Sequence, residues 1–393
     1  MPPDFICYNN STMKYVVLVG DGMADWPLPQ LGGKTPLEAA KIPNMDWIAR
    51  NGTCGLVRTI PKGVKPGSDV GNLSIFGYDP RKSYTGRGPL EALSRGIKLK
   101  KNDVAFRCNT VKIKNGRMAD FTAGHITSKE AAGVIRLINK KLANKKIRFY
   151  PGVSYRHLAI INGGPINAKC TPPHDITGRP IKGYLPKGRG AGMLTSLMKI
   201  SFGILSAKKG KANMIWLWGQ GKKPDMKKFP LKGSVITAVD LLKGIGRAIG
   251  LGVINVPGAT GYLDTNYAGK ARYALASLKK NDFVFVHVES PDESGHEGNI
   301  KHKIKAIQDF DKHVVGPILK GLAERSDDFK IMVLPDHSTP IRIKTHSSEP
   351  VPFAIYSSKG STGGCERFNE KSASKTKLKI EDGHKLMGIF LRP

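Results

Sequence analysis

Several aspartates and histidines of this sequence have the residue types and spacing of metal ligands. Asp292 and His296 are four positions apart, so one helical turn can point both side chains the same way. Asp336 and His337 are adjacent. Carboxylate and imidazole groups bind borderline divalent ions such as Zn²⁺ and Mn²⁺. The candidate ligands exceed one tetrahedral site, which predicts two metal ions: Asp21, Asp292, His296, Asp336, His337 and His346.

Ser68, in the run Pro66-Gly-Ser-Asp-Val-Gly-Asn72, is the candidate nucleophile. A serine hydroxyl is a weak nucleophile unless a base or a metal activates it, and metal candidates are available here. The same serine can instead be the N-cap of a helix. Neither the Gly-x-Ser-x-Gly elbow of serine hydrolases nor the Gly-x4-Gly-Lys-Ser/Thr phosphate loop occurs in the sequence.

Short apolar segments rich in β-branched residues precede most of these candidates and predict buried parallel strands. These segments are Tyr15 to Val19, Phe283 to Val288, Lys330 to Leu334 and Val351 to Ile355. The first three run into aspartates, and ligands of open α/β sheets bind beyond the carboxyl ends of the strands. We therefore expect Asp21, Asp292 and Asp336 to meet at one edge of a sheet.

Helical patterns alternate with the strands and predict an α/β fold with a doubly wound, mostly parallel sheet. They cover Pro43 to Asn51, Ala238 to Ile249, Ala268 to Leu278 and Ile300 to Leu322, the last interrupted or restarted at Pro317.

The middle of the chain is more basic and richer in Gly and Pro, with short alternating strands and a helix near Lys129 to Leu142. We predict an inserted α+β domain at 98–230, flanked by the two parts of the sheet domain at 13–97 and 231–393. Residues 1–12 are predicted to be an N-terminal tail without the features of a signal peptide.

Charge is the extreme quantity of the composition. The 393 residues include 63 Lys and Arg against 31 Asp and Glu, a formal net charge of +32. Such a charge attracts nucleic acid, anionic lipid or a small anionic substrate. The basic residues are dispersed and are not interleaved with aromatic residues as on RNA-stacking surfaces, so we predict no specific nucleic-acid partner. No apolar run reaches bilayer length, which predicts no membrane partner.

Cysteine usage predicts a reducing compartment. The five cysteines are odd in number, widely scattered and form no Cys-x-x-Cys pair. We expect neither a disulfide framework nor a zinc site, and we predict a cytoplasmic location.

Long motifs extend these observations to a known family. They are Val19-Gly-Asp-Gly-Met-Ala-Asp25, Pro66 to Asn72, Tyr84-Thr-Gly-Arg-Gly-Pro-Leu-Glu-Ala92, Val256-Pro-Gly-Ala-Thr-Gly-Tyr-Leu-Asp-Thr-Asn266 and Asp292 to His296. Together they resemble the archaeal type of 2,3-bisphosphoglycerate-independent phosphoglycerate mutase, of the alkaline phosphatase superfamily. The resemblance runs from about Met13 to the C-terminus.

The resemblance implies a split sheet domain with two metal ions, Mn²⁺ or alternatively Mg²⁺, Zn²⁺ or Co²⁺, and an inserted domain that closes over the substrate. It implies that Asp21, Ser68, Asp336 and His337 surround one ion and that Asp292, His296 and His346 hold the other. Ser68 becomes phosphorylated and Lys270 lies near the transferred group. In the insertion, it implies that His125 faces the glycerate hydroxyls and that the substrate pocket contains Arg156, His157, His174, Asp175 and Arg179.

The implied reaction interconverts 3-phosphoglycerate and 2-phosphoglycerate, a step of glycolysis and gluconeogenesis, through a phosphoserine and without 2,3-bisphosphoglycerate. Two alternatives stay open. A metal-dependent phosphatase or homoserine kinase-like phosphotransferase of the same superfamily would share the metal motifs, and a basic nucleic-acid-binding protein would rest on the net charge alone. The sequence leaves the oligomeric state open.

Overall fold

The computed structural model describes residues 13–208, 210–325, 327–360 and 363–392. These residues form two compact units. Thr85–Asp225 forms the inserted unit, and the segments before and after it form the sheet unit. The inserted unit begins at Thr85 rather than at residue 98, because the helix Arg87–Ser94 packs on strands of the insertion, and it ends at Asp225, ahead of residue 230. The predicted tail, residues 1–12, lies outside the described residues.

Strands and helices alternate along both units. The strands are β1 (Lys14–Gly20), β2 (Thr53–Val57), β3 (Asp103–Lys114), β4 (Arg117–Asp120), β5 (Ile147–Tyr150), β6 (Arg156–Asn162), β7 (Met214–Lys222), β8 (Gly233–Ile236), β9 (Gly252–Ile254), β10 (Phe283–Val288), β11 (Phe329–Leu334), β12 (Val351–Ser357) and β13 (Lys379–Ile380). The α-helices are α1 (Pro36–Ala39), α2 (Pro43–Asn51), α3 (Ser68–Ile75), α4 (Pro80–Ser83), α5 (Arg87–Ser94), α6 (Ser128–Leu142), α7 (Ala191–Ser206), α8 (Asp240–Ala248), α9 (Tyr267–Leu278), α10 (Ser290–Glu297), α11 (Ile300–Phe310), α12 (Gly316–Ala323), α13 (Glu370–Lys375) and α14 (Leu386–Phe390). A π-helical turn, Asp311–Val315, joins α11 to α12, and Pro317 lies in the first turn of α12.

The sheet unit is built on a mostly parallel sheet with the strand order β13-β2-β12-β11-β1-β10-β8-β9. Strands β11, β1, β10, β8 and β9 are parallel neighbours. Strand β12 runs antiparallel to both β11 and β2, so the expectation of a parallel strand from Val351 to Ile355 is wrong in direction. The physical reason is that residues 335–350 contain no helix, whereas a parallel neighbour needs a long crossover connection.

Helices cover both faces of this sheet. On one face, Val16 and Leu18 of β1 share a core with α2, α9, α11 and α12. On the other face, Phe285 of β10 stacks on Phe76, which follows α3, with ring centroids 4.2 Å apart. The predicted doubly wound α/β fold is therefore confirmed, because alternate strand side chains face opposite helical layers.

The inserted unit has an antiparallel sheet. Strand β3 pairs with β4, β6 and β7, and β5 pairs with β6. The hairpin between β3 and β4 turns at Asn115 and Gly116, whose φ angles of 50° and 69° suit the Asn-Gly sequence. Helices α6 and α7 contribute to the main core of this unit, and α5 packs on β3 and β7. The predicted α+β character of the insertion is thus present.

The cysteines depart from expectation in one pair. Cys54 of β2 and Cys365 form a disulfide, although 311 positions separate them. Their Cα atoms are 5.8 Å apart because residues near the chain's end return to the edge of the sheet beside β2. Within the described part of the chain, Cys108 and Cys170 of the inserted unit are free.

None of the helices in the described part of the chain combines the length and the apolar character that a membrane crossing requires.

Candidate active site

The strand order of the sheet unit explains how distant acidic residues meet. Strands β11, β1 and β10 are adjacent and parallel, and their carboxyl ends lead to Asp336, Asp21 and Asp292. Groups of ligand atoms within 4.8 Å of one another result, one from Asp21, Asp336 and His337, another from Asp292, His337 and His346. The expected meeting of the three aspartates at one sheet edge is therefore observed, and His337 belongs to both groups.

Ser68 faces the first of these groups. Its Oγ lies 3.4 Å from Asp21 Oδ1 and 3.2 Å from His337 Nε2. Ser68 is the first residue of α3, and the N-cap is Gly67, without a side-chain cap. The alternative in which Ser68 is the N-cap is therefore wrong, since its hydroxyl points to acidic and imidazole groups rather than to a helix amide.

Close packing brings α3 to this position. A Cβ on Gly71 would lie 2.4 Å from the Asp336 carbonyl oxygen, so only glycine lets the helix approach. One turn from Ser68, the Asn72 carboxamide donates to Asp336 Oδ2 at 2.6 Å and to the Ser68 carbonyl at 2.8 Å. Asn72 thus connects the candidate nucleophile to a candidate ligand.

The second group is assembled by α10 and the loop that carries His346. Asp292 Oδ2 lies 3.2 Å from His296 Nε2, one helical turn away, and Asp292 Oδ1 lies 3.5 Å from His346 Nε2. The Nε2 atoms of His296 and His346 are 3.0 Å apart. The three side chains that the resemblance places around one ion are therefore neighbours.

Electrostatics in this cluster is dominated by buried carboxylates. Burial, together with Asp336 and Asp292, raises the pKa of Asp21 well above its ordinary value. Burial also opposes ionisation of Asp292, but hydrogen bonds from His296 and His346 lower its pKa well below the ordinary value. The hydrogen bond with Asp292 raises the pKa of His296 to about 9. Cations close to the cluster would stabilise it, because desolvated carboxylates at close range repel one another.

These residues fit a pair of divalent metal ions. Carboxylates, imidazoles and a hydroxyl together form a donor set of the kind that Mn²⁺ or Zn²⁺ accepts. Asp21 Oδ2 lies 3.0 Å from His287 Nε2, yet both atoms are buried and neither makes a hydrogen bond within the described residues. A buried carboxylate oxygen without a donor is costly, and a bound cation would satisfy it.

Lys270 and His287 extend the cluster behind the aspartates. Lys270 is fully buried, its Nζ donates to the His287 carbonyl at 2.9 Å, and burial lowers its pKa to about 8. The His287 ring lies between Asp21 and Thr237, whose Oγ1 is 3.3 Å from Nδ1. Burial likewise lowers the pKa of His287 to about 4, so the ring is neutral at pH 7.

Sequence reasoning missed several contacts of this site. The sequence does single out His287, because it is a titratable residue inside the otherwise apolar strand Phe283–Val288. Asn72 ends the motif Pro66 to Asn72, and its residue type alone does not indicate its contacts with Ser68 and Asp336. The Thr339 hydroxyl donates to Asp292 Oδ1. Only the position of Thr339 shortly after Asp336 could have indicated this contact from the sequence.

The candidate residues of the inserted unit form a different kind of surface. His125, Arg156, His174, Asp175 and Arg179 are exposed. Aromatic rings connect two of them, because Arg156 lies over Tyr155, Tyr155 contacts Phe121, and Phe121 contacts His174. Arg179 donates to the Tyr184 hydroxyl at 3.2 Å, and His174 Nε2 lies 3.3 Å from Asp175 Oδ1.

His157 differs from its neighbours because it is buried. Its Nδ1 accepts from the Gly152 amide at 2.9 Å, and burial and Arg95 lower its pKa to about 3. Beyond the predicted residues, Arg107 lies over the Trp218 ring at 4.4 Å, and that ring contacts His174.

Comparison with known proteins agrees with the motifs. The family model described as 2,3-bisphosphoglycerate-independent phosphoglycerate mutase matches residues 49–210. Proteins of that name from Methanosarcina barkeri and Methanothrix thermoacetophila are 51% and 50% identical to this chain, over 97% and 96% of it and 100% of each relative. The chain belongs to the 2,3-bisphosphoglycerate-independent phosphoglycerate mutase family. It is accordingly an enzyme of the isomerase class.

Solved structures agree with this family. A Pyrococcus horikoshii protein shares 32% identity and a TM-score of 0.80, over 97% of both chains. The cofactor-independent phosphoglycerate mutase of Thermoplasma acidophilum shares 25% identity and a TM-score of 0.68, over 96% of this chain and 99% of that one. A named phosphoglycerate mutase thus shares this fold over 96% of the chain, and the resemblance found in the motifs is confirmed.

Proposed function

We propose that this enzyme interconverts 3-phosphoglycerate and 2-phosphoglycerate through a phosphoserine at Ser68, in a site with two divalent metal ions. The observation that carries the proposal is the position of Ser68 Oγ, within 3.4 Å of Asp21 and 3.2 Å of His337. A hydroxyl placed among buried carboxylates and imidazoles, rather than on a helix amide, is available for covalent chemistry.

The proposed ligands are Asp21, Ser68, Asp336 and His337 for one ion and Asp292, His296 and His346 for the other. Bound divalent ions would neutralise the phosphoryl oxygens and lower the pKa of the serine hydroxyl, and Mn²⁺ suits these donors. The fully buried Lys270 would add a positive charge, since a pKa of about 8 keeps it mostly protonated at pH 7.

The proposed reaction has two balanced halves. In the first, a bond forms between Ser68 Oγ and phosphorus, the bond from phosphorus to the glycerate oxygen breaks, Ser68 gives up its proton and the glycerate oxygen takes one up. In the second, the other glycerate hydroxyl attacks the phosphoserine and the proton transfers reverse. His125 is the proposed proton carrier, and the proposed substrate-binding residues are Arg156, His157, His174, Asp175 and Arg179.

Substitution of Ser68 tests the proposal. We expect Ser68→Ala to fold and to bind Mn²⁺, and to lose isomerisation because no phosphoenzyme can form. The control is Ser74→Ala on the same helix, whose hydroxyl donates to the Thr59 carbonyl. Wild-type enzyme quenched during turnover of ³²P-labelled 3-phosphoglycerate should carry label on the peptide that contains Ser68. An active Ser68→Ala enzyme would refute the covalent mechanism, and release of inorganic phosphate in place of 2-phosphoglycerate would show a phosphatase.

A further inference from the structure

Lys303, in the first turn of α11, is a lysine with no exposed surface. Lysine is almost never fully buried unless it is paired, because the ammonium loses its hydration. Its Nζ can donate three hydrogen bonds, and three acceptors surround it: Asp25 Oδ2 at 2.8 Å, Ala24 O at 3.2 Å and Thr339 O at 2.7 Å. Every donor of the buried ammonium therefore has an acceptor.

The three acceptors belong to the two loops that carry the first group of candidate ligands. Ala24 and Asp25 follow Asp21 in the loop after β1, and Thr339 follows Asp336 and His337 in the loop after β11. A single ammonium group on α11 thus bridges both loops. It does so within five positions of the acidic and imidazole side chains in each loop.

Further hydrogen bonds connect the same two loops. The Thr339 amide donates to the Ala24 carbonyl at 3.2 Å, and the Ile341 amide donates to Asp25 Oδ2 at 3.2 Å. The Thr339 hydroxyl donates to Asp292, which belongs to the second group. We call Asp25, Lys303 and Thr339 the loop clamp.

Stability alone does not account for a buried ion pair at this place. Well-packed apolar residues of similar volume usually stabilise an interior as well as an ion pair does, because desolvation of two charges offsets their attraction. An apolar residue cannot donate the hydrogen bonds that hold the Ala24 and Thr339 carbonyls at one point. The distinct contribution of Lys303 is therefore to hold the loops after β1 and β11 in position.

We propose that Lys303 is a positioning residue whose ammonium, with Asp25 and Thr339, holds the two loops so that Asp21, Asp336 and His337 converge on one metal ion. The proposal rests on the two-metal site of the proposed function. Lys303 itself touches none of the reacting atoms and acts through the loops.

The main test removes the charge pair while keeping its volume. Lys303→Met combined with Asp25→Asn leaves no buried unpaired charge, and the asparagine oxygen can still accept from the Trp26 and Ile341 amides. Lys305→Met is the matched control, because Lys305 lies on the same helix with a 62% exposed side chain paired to Asp309. Titration with Mn²⁺ should show about 10- to 100-fold weaker binding at one site in the double variant and no change in the control.

Hydrogen exchange provides a readout that needs neither metal nor substrate. In the metal-free proteins, amides of residues 21–26, 336–339 and 341 should exchange at least tenfold faster in the double variant than in wild type or Lys305→Met. Amides of α12, remote in sequence from both loops, should keep their rates. Unchanged exchange in both loops would overturn the clamp whatever the enzyme's activity.

Chemical rescue separates the ammonium from packing. Lys303→Ala leaves a cavity that n-propylammonium can enter, and this cation should restore Mn²⁺ affinity at least tenfold, whereas tetramethylammonium at equal concentration should not, because it cannot donate. A folded Lys303→Ala protein that propylammonium does not rescue would contradict the proposal. If the double variant does not fold, the rescue of Lys303→Ala by propylammonium decides whether the loop clamp exists.

The outcomes distinguish the clamp from the proposed function. Failure of wild type to bind Mn²⁺ or to form 2-phosphoglycerate would refute the proposed function, while the exchange rates of the two loops would still decide whether the clamp exists. Wild-type Mn²⁺ affinity in the double variant, with normal activity in wild type, would overturn the clamp alone.

Discussion

Most candidate residues of the sheet unit are buried, whereas most of those in the inserted unit are exposed. In the sheet unit, Asp21, Asp336 and His337 are fully buried and contact several polar neighbours. In the inserted unit, Arg156 and His174 are exposed and contact mainly aromatic rings. Buried groups with many partners have little freedom, whereas exposed side chains keep theirs until a ligand orders them. Under the proposed function, this difference predicts fixed chemical groups in the sheet unit and adaptable substrate-binding side chains in the inserted unit.

The largest expected effect is at the proposed metal ligands, most of which are buried. Asp292→Asn should lose one Mn²⁺ per chain and about 10²- to 10³-fold in isomerisation, because a preorganised charge is removed from the reacting site. Metal analysis and a 2-phosphoglycerate assay measure both. Asp240→Asn, at a 57% exposed carboxylate of the same unit, is the control. Two bound Mn²⁺ ions per chain in Asp292→Asn would contradict the proposed role of Asp292 as a metal ligand.

The disulfide offers a second contrast between the units. Cys54→Ser should lower the free energy of unfolding of the sheet unit by about 2–4 kcal/mol, because the cross-link restricts the unfolded chain. Urea unfolding without reductant measures the change, and Cys170→Ser in the inserted unit is the control. Reductant should reproduce the effect in wild type and have none on Cys54→Ser. Equal stability of wild type and Cys54→Ser would contradict the prediction.

An exposed arginine should matter for substrate and little for folding. Arg156→Ala should lower kcat/KM about 10- to 100-fold, because this factor corresponds to the free energy of one hydrogen bond to a charged group. Its free energy of unfolding should change by less than about 0.5 kcal/mol. Arg148→Ala, another exposed arginine of the same sheet, should leave both quantities unchanged. If Arg156→Ala unfolds the inserted unit, the residue is structural and the contrast fails.

A further expected effect is a difference in pH dependence. Burial lowers the pKa of His157 to about 3, so the unfolded chain binds an extra proton between about pH 3 and 6.5 and the inserted unit loses stability as pH falls through that window. Burial raises the pKa of Glu370 in the sheet unit to about 7, so the folded state binds the extra proton and stability falls as pH rises from about 4.5 to 7.

Urea unfolding between pH 4 and 8 tests these opposite signs. Fluorescence of Trp216 and Trp218 reports the inserted unit once Trp26→Phe and Trp47→Phe have silenced the other unit. His157→Gln should flatten the pH dependence of that signal, and Glu370→Gln should flatten the opposite trend in circular dichroism. The same slope in wild type and His157→Gln would rule out His157 as the source.

The sequence predicted the part of the site that follows from strand topology. Asp21 and Asp336 could be brought together from sequence because parallel neighbours end at one edge. Ser68 was placed by its motif alone, and only the contacts of its hydroxyl decided between nucleophile and N-cap. The direction of β12 was not predicted, because the hydrophobic pattern of a strand does not show which neighbour it pairs with or in which direction.

Contacts made between loops were beyond the sequence. Lys303 looked like one lysine among many in a basic chain, and its burial depends on carbonyls of two loops that sequence reasoning does not place. Cys54 and Cys365 are 311 positions apart, so nothing local marked them as partners. In the inserted unit, Arg156 at the start of β6 is exposed, whereas His157 and the four residues after it are buried where the strand lies between β3 and β5.

The disulfide also changes the connectivity of the polypeptide. Cys54 precedes the inserted unit and Cys365 follows it, so the cross-link closes a covalent ring that contains the whole of Thr85–Asp225. A protease that cuts one peptide bond in an exposed loop of the insertion therefore opens the ring without releasing a fragment. The nicked chain should migrate as one band on a denaturing gel without thiol and as two bands after reduction.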